Sequence, residues 1–342
     1  MQTTQPRPRL WLIDLPVLVV AAIWGSSYLS VKTIATGPTV VPLLVLRFLV
    51  ALLPMGVLVA GRLRRLSRPE VRGGMLIGLI LATIFLVETV GVVHTSATNA
   101  GLIISLTMVF TPLLESGLAR TRPSTPFVCA AAISVLGVAL LTQGAGFQRP
   151  GLGDLLVFCV AVIRAVHVVV MHRMKSLRDT ESGALTFVQL GTCLVVFLLI
   201  SPFSGPAPWR LAASYDAGQW VDLLYLGLAC TVFAFFVQMW AVRRTSPSRV
   251  SLLLGTEPLW AAVIGVEIGG DKLGALGAVG AVLVLVGTTW GRATAGRGGG
   301  AVAADGDGGV GAGGTGDGTG RGRTPGAPPR TPPRRSMRTF NT

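Results

Sequence analysis

Ten apolar runs constrain this chain more than any other feature. Each is near the roughly 20 residues that a helix, rising about 1.5 Å per residue, needs to cross about 30 Å of hydrocarbon. They fall at about residues 14–34, 40–60, 73–93, 98–118, 126–142, 153–173, 183–203, 219–241, 248–268 and 274–290. No water in a bilayer satisfies loose backbone groups, so such runs are helices. With 51% hydrophobic and 13% charged residues, the chain carries more apolar surface than a soluble core can hide. The expected fold is an all-α membrane protein of ten transmembrane helices.

The formal charge of +14 does not point to nucleic acid, because the basic residues lie in short loops and in the C-terminal tail. An N-terminus in the cytoplasm puts Arg7, Arg9, the arginines of GRLRRLSRPEVR, Arg120, Arg122, Arg173, Lys175, Arg178, Arg243, Arg244 and Arg249 inside. Only Lys32, Arg149, Arg210 and Lys272 then face outward. This positive-inside asymmetry predicts a multi-pass protein of the cell (inner) membrane with residues 1–13 and the C-terminus cytoplasmic. Residues 291–342 are mostly Gly, Arg, Thr and Pro and bury little, which predicts a disordered tail. Contact with anionic membrane lipid and a merely solvated appendage are both open for it. Cys129, Cys159, Cys193 and Cys230 fall in four different runs, and no metal or cofactor motif accompanies them.

The chain repeats itself. DLPVLVVAAIWG from Asp14 matches DLLVFCVAVIRA from Asp154 at an offset of 140, and later helices match at 150. The second offset sets Thr95-Ser96 beside Thr245-Ser246, Gly137 beside Gly287 and Thr107 beside Glu257. Residues 14–142 and 153–290 then form two five-helix repeats joined by an external loop at 143–152. Five crossings make the second repeat enter the membrane from the opposite face, so the halves have inverted topology, as in many secondary transporters whose substrate sites lie near the midplane.

A charge at mid-membrane costs roughly 2.5 to 3.5 kcal/mol on insertion scales, so each should face the bundle and find a partner. Arg47, Glu88, Arg164 and Glu257 qualify. Counting from helix ends puts Arg47 and Glu88 in the outer third, and Arg164 and Glu257 near the midplane. Two pairs follow, Arg47 with Glu88 and Arg164 with Glu257, each serving as a structural clamp or in the pathway. Pro258 loosens the helix beside Glu257, where a carboxylate can meet a substrate amine or carry a proton, or simply bond a freed carbonyl when protonated. Trp24, Tyr28 and Trp240 offer flat walls for an organic substrate or ordinary packing. Gln189 and Gln238, with Ser26, Ser27 and Ser30, face the pathway or bridge helices, and His167 shuttles protons or is merely hydrogen-bonded.

Several stretches in order are similar to the two EamA repeats of the drug/metabolite transporter superfamily over about residues 14–290. They are WGSSYLSVKTI, the arginine of VLRFLVALLP, HTSATNAGLIISL, GLGDLLVFCVAVIRAVHVVVMHR, RRTSPSRVSLLLGTEPLWAAVIG and GALGAVGAVLVLVG. The resemblance implies a ten-helix inner-membrane carrier, usually an exporter of amino acids, related metabolites or toxic organic compounds. This chain has Thr121 and Asp271 where the family often carries Glu, and Arg164 where an aromatic is more usual. The expected function is a secondary active transporter exporting a small molecule by alternating access, driven by protons or exchange. No P-loop signature for ATP is present. A membrane-embedded enzyme would need a surface cluster of acids or histidines, and a receptor or assembly factor a folded extramembrane domain; these are the competing classes.

Overall fold

A computed structural model of the chain describes residues 11–95, 97–142, 151–174, 177, 180–268, 274–280, 282–283, 286–287 and 289–291. Residues 1–10, most of the loop expected at 143–152, Asp271 and the expected disordered tail from residue 292 lie outside the described residues.

The regular structure among the described residues is helical. From the N-terminus, α1 (Trp11–Ile34) leads through a 3-10 turn (Gly37–Thr39) into α2 (Val40–Leu63), and α3 (Arg68–Val93) follows. Ser67 and Glu70 start α3 in the S-x-x-E manner, the Ser67 backbone N–H donating to Glu70 Oε2 at 2.6 Å. Next come α4 (Ala97–Ile104), α5 (Thr107–Ala119), α6 (Thr125–Thr142), α7 (Leu152–Arg173) and α8 (Ser182–Ile200). The short α9 (Pro208–Ser214) lies in the connection after α8, and α10 (Ala217–Leu224) then passes through a π-helical segment (Tyr225–Phe233) into α11 (Ala234–Arg244). The final pair is α12 (Pro247–Leu254) and α13 (Glu257–Glu267), and residues 275–280 are again helical.

Among the described residues, six continuous segments are long and apolar enough to cross a membrane: Trp11–Ile34, Gly37–Leu63, Arg68–Val93, Leu152–Arg173, Ser182–Phe203 and Ala217–Arg244. Two further runs expected as spans, 98–118 and 248–268, are each broken in the middle. Ile104 and Leu254 end the first halves, and Thr107 and Glu257 begin the second, a constant offset of 150. At each break a threonine hydroxyl takes a backbone carbonyl: Thr107 Oγ1 donates to the Ile104 oxygen at 2.7 Å, and Thr256 Oγ1 to the Leu253 oxygen at 2.8 Å. Such back-bonding bends helices. Pro258 adds a missing N–H at the second break, but Met108 stands at the corresponding point of the first, so proline is not required.

The outer faces are apolar where a soluble protein would be polar: Leu53, Val57, Leu58 and Leu199 are all more than two-thirds exposed. Inside, α3 packs along α7 and α8, α2 along α8, and α1 along α13. Gly25 lets α1 lie against the start of α13, for a Cβ there would sit 2.6 Å from the Glu257 carbonyl oxygen and 2.8 Å from the Ala261 nitrogen. That contact carries Trp24 and Tyr28 to the break in the second helix.

Candidate functional site

The breaks, the π-helical segment and α7 converge on one polar cluster in an apolar bundle. Glu257 is the first residue of α13 and is 3% exposed. Its carboxylate lies in the first turn, where unpaired backbone N–H groups and the positive helix end favour an anion. Tyr28 donates its hydroxyl hydrogen bond to Glu257 Oε1. Arg164 on α7 points its Nη1 between two acids, 3.8 Å from Glu257 Oε2 and 3.8 Å from Glu88 Oε1. Both separations exceed hydrogen-bond length, so these ionic contacts leave donors and acceptors free for a third group.

The expected pairing of Arg164 with Glu257 is therefore present, while the expected pairing of Arg47 with Glu88 is replaced. Glu88 turns to Arg164, and Arg47 forms no ion pair among the described residues. Counting residues from a helix end gives depth but not direction around the axis, and α3 lies along α7, which presents Glu88 to Arg164. Arg47 instead donates from Nε to Thr231 Oγ1 at 2.8 Å and sets its guanidinium 4.7 Å from the Phe85 ring centre. Arg164 is likewise seated, 4.5 Å from the Trp24 ring centre. Cation–π contact of this kind holds a desolvated guanidinium without neutralising it.

Both rings belong to one aromatic line, in which Trp24, Phe235, Phe85, Phe48 and Phe197 follow at centroid spacings of 5.3, 5.4, 4.9 and 5.3 Å. The π-helical segment anchors it. Its wider coil presents the Cys230 carbonyl to Trp24 Nε1 at 2.9 Å, while Tyr225 donates to the Ile23 oxygen at 3.1 Å. No proline marks this segment, and composition alone does not announce it.

A cavity is lined by Trp24, Ser27, Tyr28, Arg47, Glu88, Arg164 and Glu257, seven of the residues singled out from the sequence, with Val31, Phe85, Thr89, Val92 and Phe235 completing its wall. Two fixed cations and two acids give it balanced charge. Gln238 lines a neighbouring chamber. His167 and Gln189 are buried but line neither space, and among the described residues His167 Nε2, both Gln189 amide atoms and Gln238 Oε1 have no hydrogen-bond partner. Trp240 stands apart, in an open cleft beside Arg244, whose guanidinium is 5.0 Å from its ring centre. Two polar contacts near the helix ends escaped the sequence reading. Asp14 accepts a two-point contact from Arg249, at 3.0 and 2.8 Å, and Asp154 accepts from Thr95 Oγ1 at 2.5 Å. The pairing of Asp14 with Asp154 at the 140-residue offset was the available signal. Among the described residues no group of His, Cys, Asp and Glu is placed to hold a metal.

The family model of the EamA-like transporter family matches residues 11–143 and, separately, residues 151–290. An uncharacterized transporter of Archaeoglobus fulgidus is 26% identical over 199 residues, 57% of this chain and 66% of that protein, just under two thirds of its length. A second from the same organism is 25% identical over 274 residues, 80% of this chain and 83% of the relative. A probable terminal-alkyne amino-acid exporter of Streptantibioticus cattleyicolor is 26% identical over 282 residues, 81% and 91% of the two chains. A solved crystal structure aligns with a TM-score of 0.66 at 18% identity, over 84% of this chain and 97% of the other, a likeness of fold alone. An apolar helical bundle with several membrane-length helices, matched twice along its length by one transporter model, is a multi-pass membrane transporter, and the chain belongs to the EamA-like transporter family.

Proposed function

We propose that this protein is a secondary active transporter that exports a small zwitterion of the amino-acid kind across the cell membrane. It works by alternating access between two inverted five-helix repeats, ten spans in all, with both termini in the cytoplasm. The observation that carries the proposal is Arg164, its side chain only 12% exposed, set at the broken helix between Glu88 and Glu257 and stacked on Trp24. A carboxylate is recognised by Arg164 and Arg47, an ammonium by Glu88 and Glu257, and an apolar body by the Trp24, Phe85 and Phe235 wall. The balanced cavity charge favours a substrate with no net charge. The name of the Streptantibioticus relative, an amino-acid exporter, is consistent with that chemistry.

The matched breaks at Ile104/Thr107 and Leu254/Glu257 support the repeat. So do the two aspartates 140 residues apart, each of which holds the start of a broken helix: Asp14 grips Arg249 of α12, and Asp154 grips Thr95 just before α4. In inverted topology these contacts lie at opposite faces and open in turn. Glu257 serves as the proton carrier of the cycle. In vesicles, Glu257→Gln abolishes proton-driven transport and spares exchange; full pH-driven uptake by the variant removes it from that role. For export, external metabolites of cells lacking the protein are compared with those of cells overproducing it. At least one small zwitterion should fall and rise reciprocally, and no reciprocal compound overturns the proposal.

A further inference from the structure

A second chamber lies across the Trp24–Arg164 stack. It is small, and it shares only Trp24, Arg164 and Glu257 with the larger cavity. These three residues are therefore a partition, with the Arg164 guanidinium lying 4.5 Å from the Trp24 ring centre as its plug. The far side is polar in a particular way. Its hydroxyls are already committed, Thr107 Oγ1 to the Ile104 and Ala161 oxygens and Ser251 Oγ to Thr111 Oγ1. Gln238 Oε1 is buried on a 4% exposed residue and accepts from no donor among the described residues. A buried acceptor without a donor costs about 1 to 3 kcal/mol unless something occupies the space beside it. The room beside it is tight and admits a compact group such as an ammonium.

We infer that this chamber is a second binding site, in which the ammonium group of a small cation or zwitterion is held between Gln238 Oε1 and Glu257. The inference rests on the transport reading but names a subsite that reading lacks. Because Arg164 borders both chambers, a carboxylate remains on one guanidinium while the body of the molecule changes sides. Glu257, also shared, exchanges the ammonium between its two neighbours, Gln238 on one side and Glu88 on the other.

Thiol labelling tests the site without a known substrate, so its failure and a failure of transport are told apart. The four native cysteines are replaced by alanine, and single cysteines are introduced as Leu254→Cys in the smaller chamber and Val31→Cys in the larger. Sealed vesicles of each orientation are treated with a membrane-impermeant methanethiosulfonate bearing either a trimethylammonium or a sulfonate group. Leu254→Cys is expected to react from one face and Val31→Cys from the other. At Leu254→Cys the ammonium reagent should react about tenfold faster than the sulfonate, and Gln238→Leu should remove most of that preference there while leaving the Val31→Cys rates unchanged. Labelling of both positions from the same face, no labelling of Leu254→Cys, equal rates for the two reagents, or a preference indifferent to Gln238→Leu would each overturn the inference.

Discussion

Arg164 has two carboxylates at the same 3.8 Å, and this redundancy makes a quantitative prediction. At an effective dielectric constant near 20, each contact is worth about 4 kcal/mol of gross Coulomb attraction. Replacing one acid by its amide removes that attraction but also removes the cost of burying a carboxylate. The other acid still neutralises Arg164, and Gln at 257 still accepts from Tyr28. Glu257→Gln and Glu88→Gln should therefore each cost only about 1 kcal/mol. With both replaced, the guanidinium is buried without a counter-charge, a condition that costs roughly 3 to 5 kcal/mol. The loss in the double variant should be about twice the sum of the single losses. The assay is thermal unfolding in detergent of a protein whose exposed Cys129 and Cys159 are replaced by alanine, read by a thiol-reactive dye that reports exposure of the buried Cys193 and Cys230. A double variant whose loss equals the sum of the singles would refute the shared-partner reasoning, because additivity is the mark of independent sites.

Three further expectations use the same unfolding assay. Gly25→Ala drives a methyl into the α13 backbone and should destabilise by about 2 kcal/mol, whereas Gly191→Ala, with nothing within 4 Å of the added atom, should be neutral or up to about 1 kcal/mol stabilising. Asp14→Arg and Arg249→Asp should each lower stability by about 1 to 2 kcal/mol, and the exchanged pair should recover most of it; no recovery would mean that the contact contributes nothing by itself. Gln189→Leu removes two buried amide atoms that have no hydrogen-bond partner and should leave stability equal or raised by about 1 kcal/mol, while a loss would show that the amide is satisfied in the folded protein.

Depth and chemistry in the membrane were legible in the sequence, because length, hydropathy and charge cost act along one axis. The long continuous helices, the buried charges and the meeting of Arg164 with Glu257 all follow from that axis. Direction around each helix is set by packing. Glu88 was therefore matched to the arginine at its own depth, although α3 lies against α7. Trp240, two residues from Gln238 and so on nearly the opposite side of the helix, turns away toward Arg244. The break at Ile104 and the π-helical turn at Tyr225–Phe233 carry no proline, and each is tied to another helix by a bond that only the folded bundle provides, from Thr107 Oγ1 to the Ala161 oxygen and from Trp24 Nε1 to the Cys230 oxygen. Asp14 and Asp154 were visible as a repeated letter. Their grip on Arg249 and Thr95 needed the neighbouring helix in place.

The central claim is that Arg164 holds the transported molecule. Its most direct test is release of isotope-labelled neutral amino acids from proteoliposomes containing equal amounts of the parent protein or Arg164→Gln. The parent should release at least one of them faster than empty liposomes, and Arg164→Gln should fall to the empty-liposome rate while remaining folded by the thiol-dye assay. Release by Arg164→Gln at the parental rate, or a parent that releases none of the set, would contradict the claim.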